Sequence, residues 1–305
     1  MSTDGGRIRA FAMRDGPELV YRHWAVPPSP ERLGGPAPSP RGVVVGIHGI
    51  QSHSGWYTGT CEFLAAGGYD TSFLDRRGSG LNRAQRGDAP GPARHGLGDG
   101  GWRVFADDLG EFIDDARRRL PGIPVHLVAI SWGTKLAVAA CIRRPDLVDS
   151  LVLMGPALVP KVDVAFGVKV RTAVALLTNP RRLFDVPLAD PRLFTDNPER
   201  IAFIESDPLS LRQVTARFLR QTRRLDRFIL RHAHELRTPM LMMLSGRDRI
   251  VDNDATRRIF DRLASPSKEV ILYPEAAHTL EFEPDPGPFR RDLVRRLDER
   301  SPVRG

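Results

Sequence analysis

Cysteine and long apolar runs are both scarce in this chain. Its 305 residues contain two cysteines, Cys61 and Cys141, and neither has the spacing of a C-x-x-C redox motif or of a metal site. So few cysteines give no disulfide framework, and we expect buried free thiols. No apolar stretch reaches the length of a membrane span, and no charged-then-apolar leader is present. We therefore expect a soluble protein of the cytoplasm.

Nucleic-acid-binding modules are lacking as well, although the net charge of +8 and the pI near 10.1 are strongly basic. The excess is carried by scattered arginines, such as Arg223-Arg224 and Arg290-Arg291, without interleaved aromatic residues. This pattern is typical of a solvated basic surface, and we expect no nucleic-acid partner. Attraction to an anionic lipid surface or an anionic substrate stays open.

Short apolar runs alternate with helical patterns along the chain. Their length and composition indicate buried strands, and the alternation predicts an α/β fold with a mostly parallel central sheet flanked by helices. The predicted parallel strands cover residues 42–48, 69–74, 125–130, 149–154, 240–244 and 269–273.

The alternation stops after Pro156 and resumes after Pro239. Between these prolines the residues give helical patterns, among them 162–177 and 209–234, and we expect no strand there. A helical cap inserted into the core explains this change. The predicted division is residues 1–155 for the first part of the core, 156–237 for the cap and 238–305 for the second part of the core.

Ser131 follows one of the apolar runs and precedes a helical pattern. A sharp strand-to-helix turn would thrust its hydroxyl above the sheet, and small neighbours such as Ala129 and Gly133 leave room for that turn. The helix N-terminus beneath would favour developing negative charge. These features predict a nucleophile, and the alternative is a serine that only caps the helix.

An acid and a histidine follow the last two predicted strands. The order Ser131, Asp248, His278 is the one that an α/β-hydrolase triad requires. A histidine held by a buried carboxylate can remove the proton of a serine hydroxyl, which is otherwise a poor nucleophile. We prefer Asp248 as the acid because it comes directly after the strand, with Asp252 and Asp254 as alternatives.

The charge that develops on the substrate carbonyl requires fixed hydrogen-bond donors. The backbone N–H groups of Ile50 and Trp132 are the candidates for this oxyanion hole. We interpret His48 as a structural residue of the loop. His53 and Tyr57 either line the substrate pocket or only brace this loop.

Several motifs of the chain together resemble those of α/β-hydrolases of the monoacylglycerol lipase and lysophospholipase type, also called the serine aminopeptidase group. The resemblance runs from about residue 43 to the end. It implies Ser131 as nucleophile, Asp248 as acid, His278 as base, and the amides of Ile50 and Trp132 as oxyanion hole. The matching positions are His48-Gly49, His53-Ser54-Gly55, Tyr57, Asp75, Gly78, Gly80, Ser206-Asp207-Pro208-Leu209, Gly246, Asp248 and His278.

Three features depart from the family pattern. Ala129 stands where the nucleophile turn usually has its first glycine, and Arg76 occupies a position where another residue is common. Residues 82–101 are rich in Gly and Arg, and we expect a long irregular loop there. Alanine is the mildest replacement for glycine. The other two departures leave the substrate open.

We conclude from the sequence that the chain is a serine hydrolase of carboxylic esters, such as monoacylglycerol or lysophospholipid-like esters, acting through an acyl-enzyme without cofactor or metal. The apolar helix at 162–177 suggests transient contact with a lipid surface, or plain packing.

A thioesterase or amidase would use the same triad, and an aminopeptidase would need cap carboxylates such as Glu199, Glu205 or Asp207. A ligand-binding protein on this fold would have lost a triad member.

Overall fold

The structure is a computed structural model that describes residues 6–28, 39–83 and 101–301; most of the predicted loop at 82–101 lies outside these residues. Within them the chain forms ten strands and eight α-helices. The strands are β1 Arg7–Ala12, β2 Glu18–Trp24, β3 Gly42–Ile47, β4 Tyr69–Leu74, β5 Val125–Ile130, β6 Ser150–Met154, β7 Leu183–Asp185, β8 Gln213–Thr215, β9 Met240–Ser245 and β10 Lys268–Tyr273. The helices are α1 Thr58–Ala66, α2 Trp102–Arg119, α3 Gly133–Arg143, α4 Phe166–Thr178, α5 Pro198–Ser206, α6 Ala216–His232, α7 Asn253–Arg262 and α8 Gly287–Asp298.

Eight strands form one sheet in the order β1-β2-β4-β3-β5-β6-β9-β10. The pairs from β4 to β10 are parallel, and β1 and β2 add an antiparallel edge. Every residue of β3, β5, β6 and β9 is buried, as expected of parallel strands covered by helices on both faces. The predicted fold class, α/β with a mostly parallel sheet, is therefore confirmed.

Helix α3 lies at the centre of the packing. Its residues from Gly133 to Ile142 are all buried, because the sheet covers one side and helices α2 and α6 cover the other. Its short side chains, including Ala137, Ala139 and Ala140, allow this close approach. Cys141 belongs to the same helix, and both it and Cys61 are buried and free, as the sequence predicted.

Residues 156–237 connect β6 to β9 and contain α4, α5 and α6. We expected no strand in this segment, and that prediction is wrong. Strands β7 and β8 form a two-stranded antiparallel sheet in which Leu183 pairs with Thr215. Strands of three residues are too short to give a periodic pattern. We retain the division into a core and a cap at 156–237 as a proposal.

The parallel strands direct their C-terminal ends to one edge of the sheet, where open α/β sheets bind ligands. The segments after β3, β5, β9 and β10 all emerge at this edge. Among the described residues, no helix combines the length and the apolar character that crossing a membrane requires.

Candidate active site

Ser131 occupies the turn between β5 and α3 in a strained conformation. Its φ of 52° makes it the sole non-glycine residue with positive φ in the described part of the chain. Such a conformation is costly for a residue with a Cβ and persists where the surrounding structure imposes it. The N–H of Ser131 donates to the carbonyl of Met154, and its own carbonyl accepts from Thr134. The turn therefore holds Ser131 at the C-terminal end of β5, and its role as a nucleophile stays a prediction.

The structure brings Ser131, His278 and Asp248 into one hydrogen-bonded chain. Nε2 of His278 lies 3.0 Å from Oγ of Ser131, and Nδ1 of His278 lies 2.7 Å from Oδ2 of Asp248. All three residues are buried. This is the geometry in which the imidazole can take the hydroxyl proton while the carboxylate holds the ring in the required tautomer.

Asp248 is kept ionised by its surroundings. Burial acts to raise its pKa, but the charge and hydrogen bond of His278, with further hydrogen bonds from the amides of Val251 and Ile250, hold the pKa below its ordinary value. The alternative acids lie elsewhere, because Asp252 caps helix α7 through the amide of Ala255 and Asp254 is exposed. The geometry favours Asp248 among the three.

The two proposed oxyanion donors belong to segments that adjoin Ser131. Ile50 follows Gly49, whose backbone is so close to Ser131 that a Cβ on Gly49 would stand 3.1 Å from the Cβ of Ser131. Trp132 begins helix α3. Neither the Ile50 N–H nor the Trp132 N–H has an acceptor within the described residues, so both are available to a ligand oxygen. A tetrahedral intermediate requires such donors, and the assignment of these two amides to an oxyanion hole stays a prediction.

Residues 48–52, which follow β3, are called the oxyanion loop below. His53 and Tyr57 lie beside this loop, and neither lines the cavity that contains Ser131. The hydroxyl of Tyr57 donates to Ser52 Oγ at 3.0 Å, and Ser52 Oγ accepts from the N–H of Gly49 at 3.1 Å. Nε2 of His53 lies 3.0 Å from Oδ2 of Asp207. This placement agrees with bracing of the loop and not with the alternative that these residues line the substrate pocket.

A cavity of about 610 Å³ opens above Ser131, which is a typical size for a small-molecule site. Its cationic and acidic residues come mainly from helix α6 and from the segment before α4. Most of its remaining wall is apolar. The apolar lining consists of Ile50, Trp132, Ala157, Pro160, Val162, Val164, Ala173, Leu176, Val186, Pro187, Leu188, Leu219 and Ile250.

The family model described as "Serine aminopeptidase, S33" matches residues 38–285 of the chain. The chain belongs to this family. The match covers most of the chain, and it includes Ser131, Asp248 and His278.

Two proteins with sequences similar to this chain carry the name of a lipase. The chain is 28% identical over 286 residues to the monoacylglycerol lipase of Mycolicibacterium smegmatis, a match over 90% of this chain and 91% of that protein. It is 24% identical over 274 residues to the monoglyceride lipase of Homo sapiens, over 88% and 82% respectively. These matches confirm the family resemblance inferred from the motifs, and with the family membership they confirm the predicted enzyme class, a carboxylic ester hydrolase.

Solved structures agree on the fold. A crystal structure of a soluble variant of the monoglyceride lipase from Saccharomyces cerevisiae, in complex with a substrate analog, matches with a TM-score of 0.81 at 20% identity, covering 99% of this chain and 97% of that one. An α/β hydrolase fold protein from Chitinophaga pinensis matches with a TM-score of 0.59 at 16% identity, covering 97% and 98% respectively. This likeness confirms the α/β-hydrolase fold.

Arg76 is a departure from the family pattern for which the sequence alone gave no role. The side chain is 2% exposed, and its Nη2 donates to the carbonyls of Gly49 at 2.6 Å and Ile50 at 2.9 Å. Burial lowers the pKa of Arg76 to about 9, and so the guanidinium is still charged at neutral pH. This family member therefore places a buried cation directly against its oxyanion loop.

Asp207 anchors the segment 156–237 to the oxyanion loop. Its Oδ2 accepts hydrogen bonds from His53 and from Trp56 Nε1 at 2.8 Å, as well as from Ser210. Burial acts to raise the pKa of Asp207, but the hydrogen bonds of His53 and Trp56 outweigh it and hold that pKa below its ordinary value. The sequence marked Asp207 as part of a family tract without indicating this contact.

Further hydrogen bonds join the same segment to the residues around the triad. The Leu211 N–H donates to the carbonyl of Gln51 at 2.9 Å, and the Lys161 ammonium donates to the carbonyl of Asp248 at 2.7 Å. The Thr279 N–H, next to His278, donates to the carbonyl of Phe194 at 2.9 Å. Three core segments that carry proposed oxyanion or triad residues thus each have a partner in residues 156–237.

Lys135 is a further residue for which the sequence analysis gave no role. It follows Ser131 by one turn of α3, its side chain is 4% exposed, and its Nζ lies 2.6 Å from Oδ1 of Asp226 on α6. The signal was present, because a charged residue on the buried face of an alanine-rich helix requires a partner. The partner lies 91 residues further along the chain, which no local pattern identifies.

Proposed function

We propose that the chain hydrolyses acyl esters through Ser131, His278 and Asp248. The observation that supports this most strongly is the unbroken hydrogen-bond chain between these three side chains, which ends at a serine hydroxyl facing a largely apolar cavity. The apolar wall suits an acyl chain. The names of the relatives, monoacylglycerol lipase and monoglyceride lipase, favour esters of the monoacylglycerol type. Lysophospholipid-like esters stay a prediction of the motif resemblance.

The reaction proceeds in two half-reactions. His278 Nε2 accepts the proton of Ser131 as Oγ attacks the acyl carbon, and the oxygen of the substrate carbonyl becomes negatively charged between the amides of Ile50 and Trp132. The protonated imidazole then gives that proton to the alkoxide oxygen, and the C–O bond breaks to release the alcohol. A water molecule repeats these steps on the acyl-enzyme, so that its oxygen joins the acid and its proton returns through His278 to Ser131.

The test is labelling with a fluorophosphonate, compared between the wild type, Ser131→Ala and a matched control, Ser206→Ala, whose serine is exposed on α5. We expect labelling of the wild type and the control and none of Ser131→Ala. A series of p-nitrophenyl esters from acetate to palmitate then defines the acyl length. A folded wild type that takes no label would refute the hydrolase mechanism and favour a ligand-binding protein on this fold.

Peptidase, amidase and thioesterase activities are the alternatives within the same triad chemistry. An aminopeptidase must hold an ammonium group, but Glu199 and Glu205 are exposed outside the cavity and Asp207 is engaged by His53 and Trp56. We therefore expect faster turnover of p-nitrophenyl esters than of amino acid p-nitroanilides. The opposite ranking at equal concentrations would reverse this choice.

We also propose a transient contact with an anionic lipid surface through helix α4. The side chains of Phe166 and Leu177 are 80% and 89% exposed, whereas Thr172 and Ala175 of the same helix are buried. Arg171 on this helix is exposed and adds a cation that favours an anionic surface. The helix lines the cavity, so a substrate could pass from the surface to Ser131.

Sedimentation with phosphatidylglycerol vesicles tests this contact. Phe166→Glu with Leu177→Glu is expected to weaken co-sedimentation, while Ile8→Glu, which changes an exposed apolar residue on β1, is the control. If the wild type, the double variant and the control bound the vesicles equally, α4 would have no role in lipid contact and its apolar residues would serve packing only. The cytoplasmic location stays a prediction.

A further inference from the structure

One helix gives the cavity over Ser131 a strongly cationic wall. Arg220, Arg223, Arg224 and Arg227 all line the cavity, and all four are exposed. Their spacing of three, four and seven residues places them on one face of α6. The buried residues of α6, such as Leu225, occupy the remaining positions. The arginines therefore face the ligand space and leave the packing of the helix to apolar side chains.

The charges of this wall are not balanced by carboxylates. Asp163 and Asp226 are the two acidic residues of the lining, against six cationic ones. Asp226 forms an ion pair with Lys135, with 2.6 Å between Oδ1 and Nζ. Asp163 forms an ion pair with Lys169, with 2.5 Å between Oδ2 and Nζ.

Arg223 reaches Asp163 at 3.9 Å. No carboxylate among the described residues forms an ion pair with Arg220, Arg224 or Arg227. Three guanidinium groups are thus available to a ligand.

Helix α6 also lies directly against the nucleophile segment. The indole N–H of Trp132 donates to Thr222 Oγ1 at 3.3 Å, and the Trp132 ring packs on Phe218 with 5.0 Å between ring centres. These contacts and the pair between Lys135 and Asp226 fix the helix over the first turn of α3. Ser131 and the arginine wall line the same cavity, so a substrate held at Ser131 shares its space with the arginines.

We propose that the substrate is an acyl ester whose alcohol part carries an anionic group, a phosphate or a carboxylate, bound by Arg220, Arg224 and Arg227. This inference rests on the ester hydrolysis proposed above and adds its substrate class. The planar guanidinium fork matches the geometry of both anions and forms paired, charge-assisted hydrogen bonds with them. The acyl chain lies along the apolar wall near Leu176.

The test uses short, water-soluble esters below their critical micelle concentration, so that no lipid surface is present. The substrates are 1-hexanoylglycerol, 1-hexanoylglycerol 3-phosphate, 1-hexanoylglycerophosphocholine and O-hexanoylglycolate. We expect kcat/KM for the anionic esters to exceed that for 1-hexanoylglycerol by about tenfold or more at low salt, and the ratio to fall as salt screens the arginines. The zwitterionic ester should behave like the neutral one.

The variant Arg220→Gln with Arg224→Gln and Arg227→Gln is expected to remove this preference. The matched control is Arg231→Gln on the same helix, because Arg231 is exposed and does not line the cavity. It should keep the preference of the wild type. Thermal melting and fluorophosphonate labelling verify that each variant is folded.

Three outcomes would overturn the inference. Equal kcat/KM for neutral and anionic esters in a wild type that hydrolyses p-nitrophenyl hexanoate would remove the head-group site but keep the ester hydrolase. A preference that appears only above the critical micelle concentration would assign the arginines to a lipid surface. Inhibition by inorganic phosphate as strong as that by glycerol 3-phosphate would assign them to a free anion. Failure to hydrolyse any ester would instead refute the proposed function.

Discussion

The guanidinium carbon of Arg76 lies 4.8 Å from the centre of the Trp132 ring, while the same guanidinium donates to the carbonyls of Gly49 and Ile50. One buried cation therefore connects the two segments that carry the proposed oxyanion donors. Cation–π contacts of desolvated groups contribute on the order of 2 kcal/mol. The spacing between these segments depends on Arg76 as well as on the sheet.

Replacement of Arg76 by methionine should impair turnover more than substrate binding. The loss of its hydrogen bonds frees the loop that carries the Ile50 amide, so we expect kcat for p-nitrophenyl esters to fall at least about tenfold with little change in KM. Unfolding free energy should fall by about 1–3 kcal/mol, because buried carbonyls lose their donors. Arg76→Lys, which retains a cation, should give intermediate values. An unchanged kcat with a lowered melting temperature would mean that Arg76 is only structural.

Replacement of Asp248 by asparagine should lower kcat by about 10⁴-fold, because an amide N–H facing Nδ1 of His278 favours the tautomer that cannot accept the serine proton. The control is Asp252→Asn, since asparagine still caps helix α7. We expect the control to retain kcat within about twofold of the wild type, as surface caps tolerate this exchange. A larger loss of kcat in Asp252→Asn than in Asp248→Asn would show that Asp252, and not Asp248, is the acid.

Replacement of Gly133 by alanine should destabilise the protein and weaken labelling by fluorophosphonate. A Cβ at this position would overlap the carbonyl oxygen of His48, and the first turn of α3 would have to move away from the oxyanion loop. Overpacking of this kind costs about 1–3 kcal/mol. Gly167→Ala on α4 is the matched control, since its Cβ meets nothing within 4 Å and alanine favours a helix by about 1 kcal/mol. Thermal melting of both variants checks the prediction, and a stable, fully labelled Gly133→Ala would contradict it.

Replacement of Asp207 by asparagine should lower the free energy of unfolding at neutral pH. It should also make that free energy less sensitive to a fall in pH. The pKa of Asp207 is held below its ordinary value, so the carboxylate contributes stability above its unfolded pKa of about 3.9, and that stability is lost as the pH falls further. We expect a loss of about 1–3 kcal/mol at pH 7 and a shallower decline of stability between about pH 4 and pH 2. Chemical denaturation at several pH values measures both quantities. An equally steep acid decline in the variant would show that other carboxylates, such as Asp248, dominate it.

The sequence was sufficient for the sheet and for the placement of the proposed triad, because both depend on local patterns. Apolar runs mark buried strands, and residues that follow such strands meet at one edge of the sheet. Ser131, Asp248 and His278 could therefore be placed together without knowledge of the side-chain packing.

Contacts between distant segments were not predictable from the sequence. Asp226 and Lys135 are 91 residues apart, and Asp207 and His53 are 154 residues apart. Neither pair gives a periodic signal, and each exists only because helices and loops of residues 156–237 fold back onto the core. Bracing of the loop by His53, as we interpret its contact with Asp207, depends on such a pair, so the sequence alone could not separate it from the pocket-lining alternative.

Three hydrogen bonds join residues 156–237 to the core: the Leu211 N–H and the Lys161 ammonium donate to it, and the Phe194 carbonyl accepts from it. These bonds limit how this enzyme can be re-engineered. A chimera that received residues 156–237 from a relative would keep these bonds only if its backbone followed the same path at positions 194 and 211 and it had a lysine at position 161. Where it did not, turnover should fall even if both parts folded. Substrate range is better altered one side chain at a time, at cavity positions whose backbones take no part in these bonds.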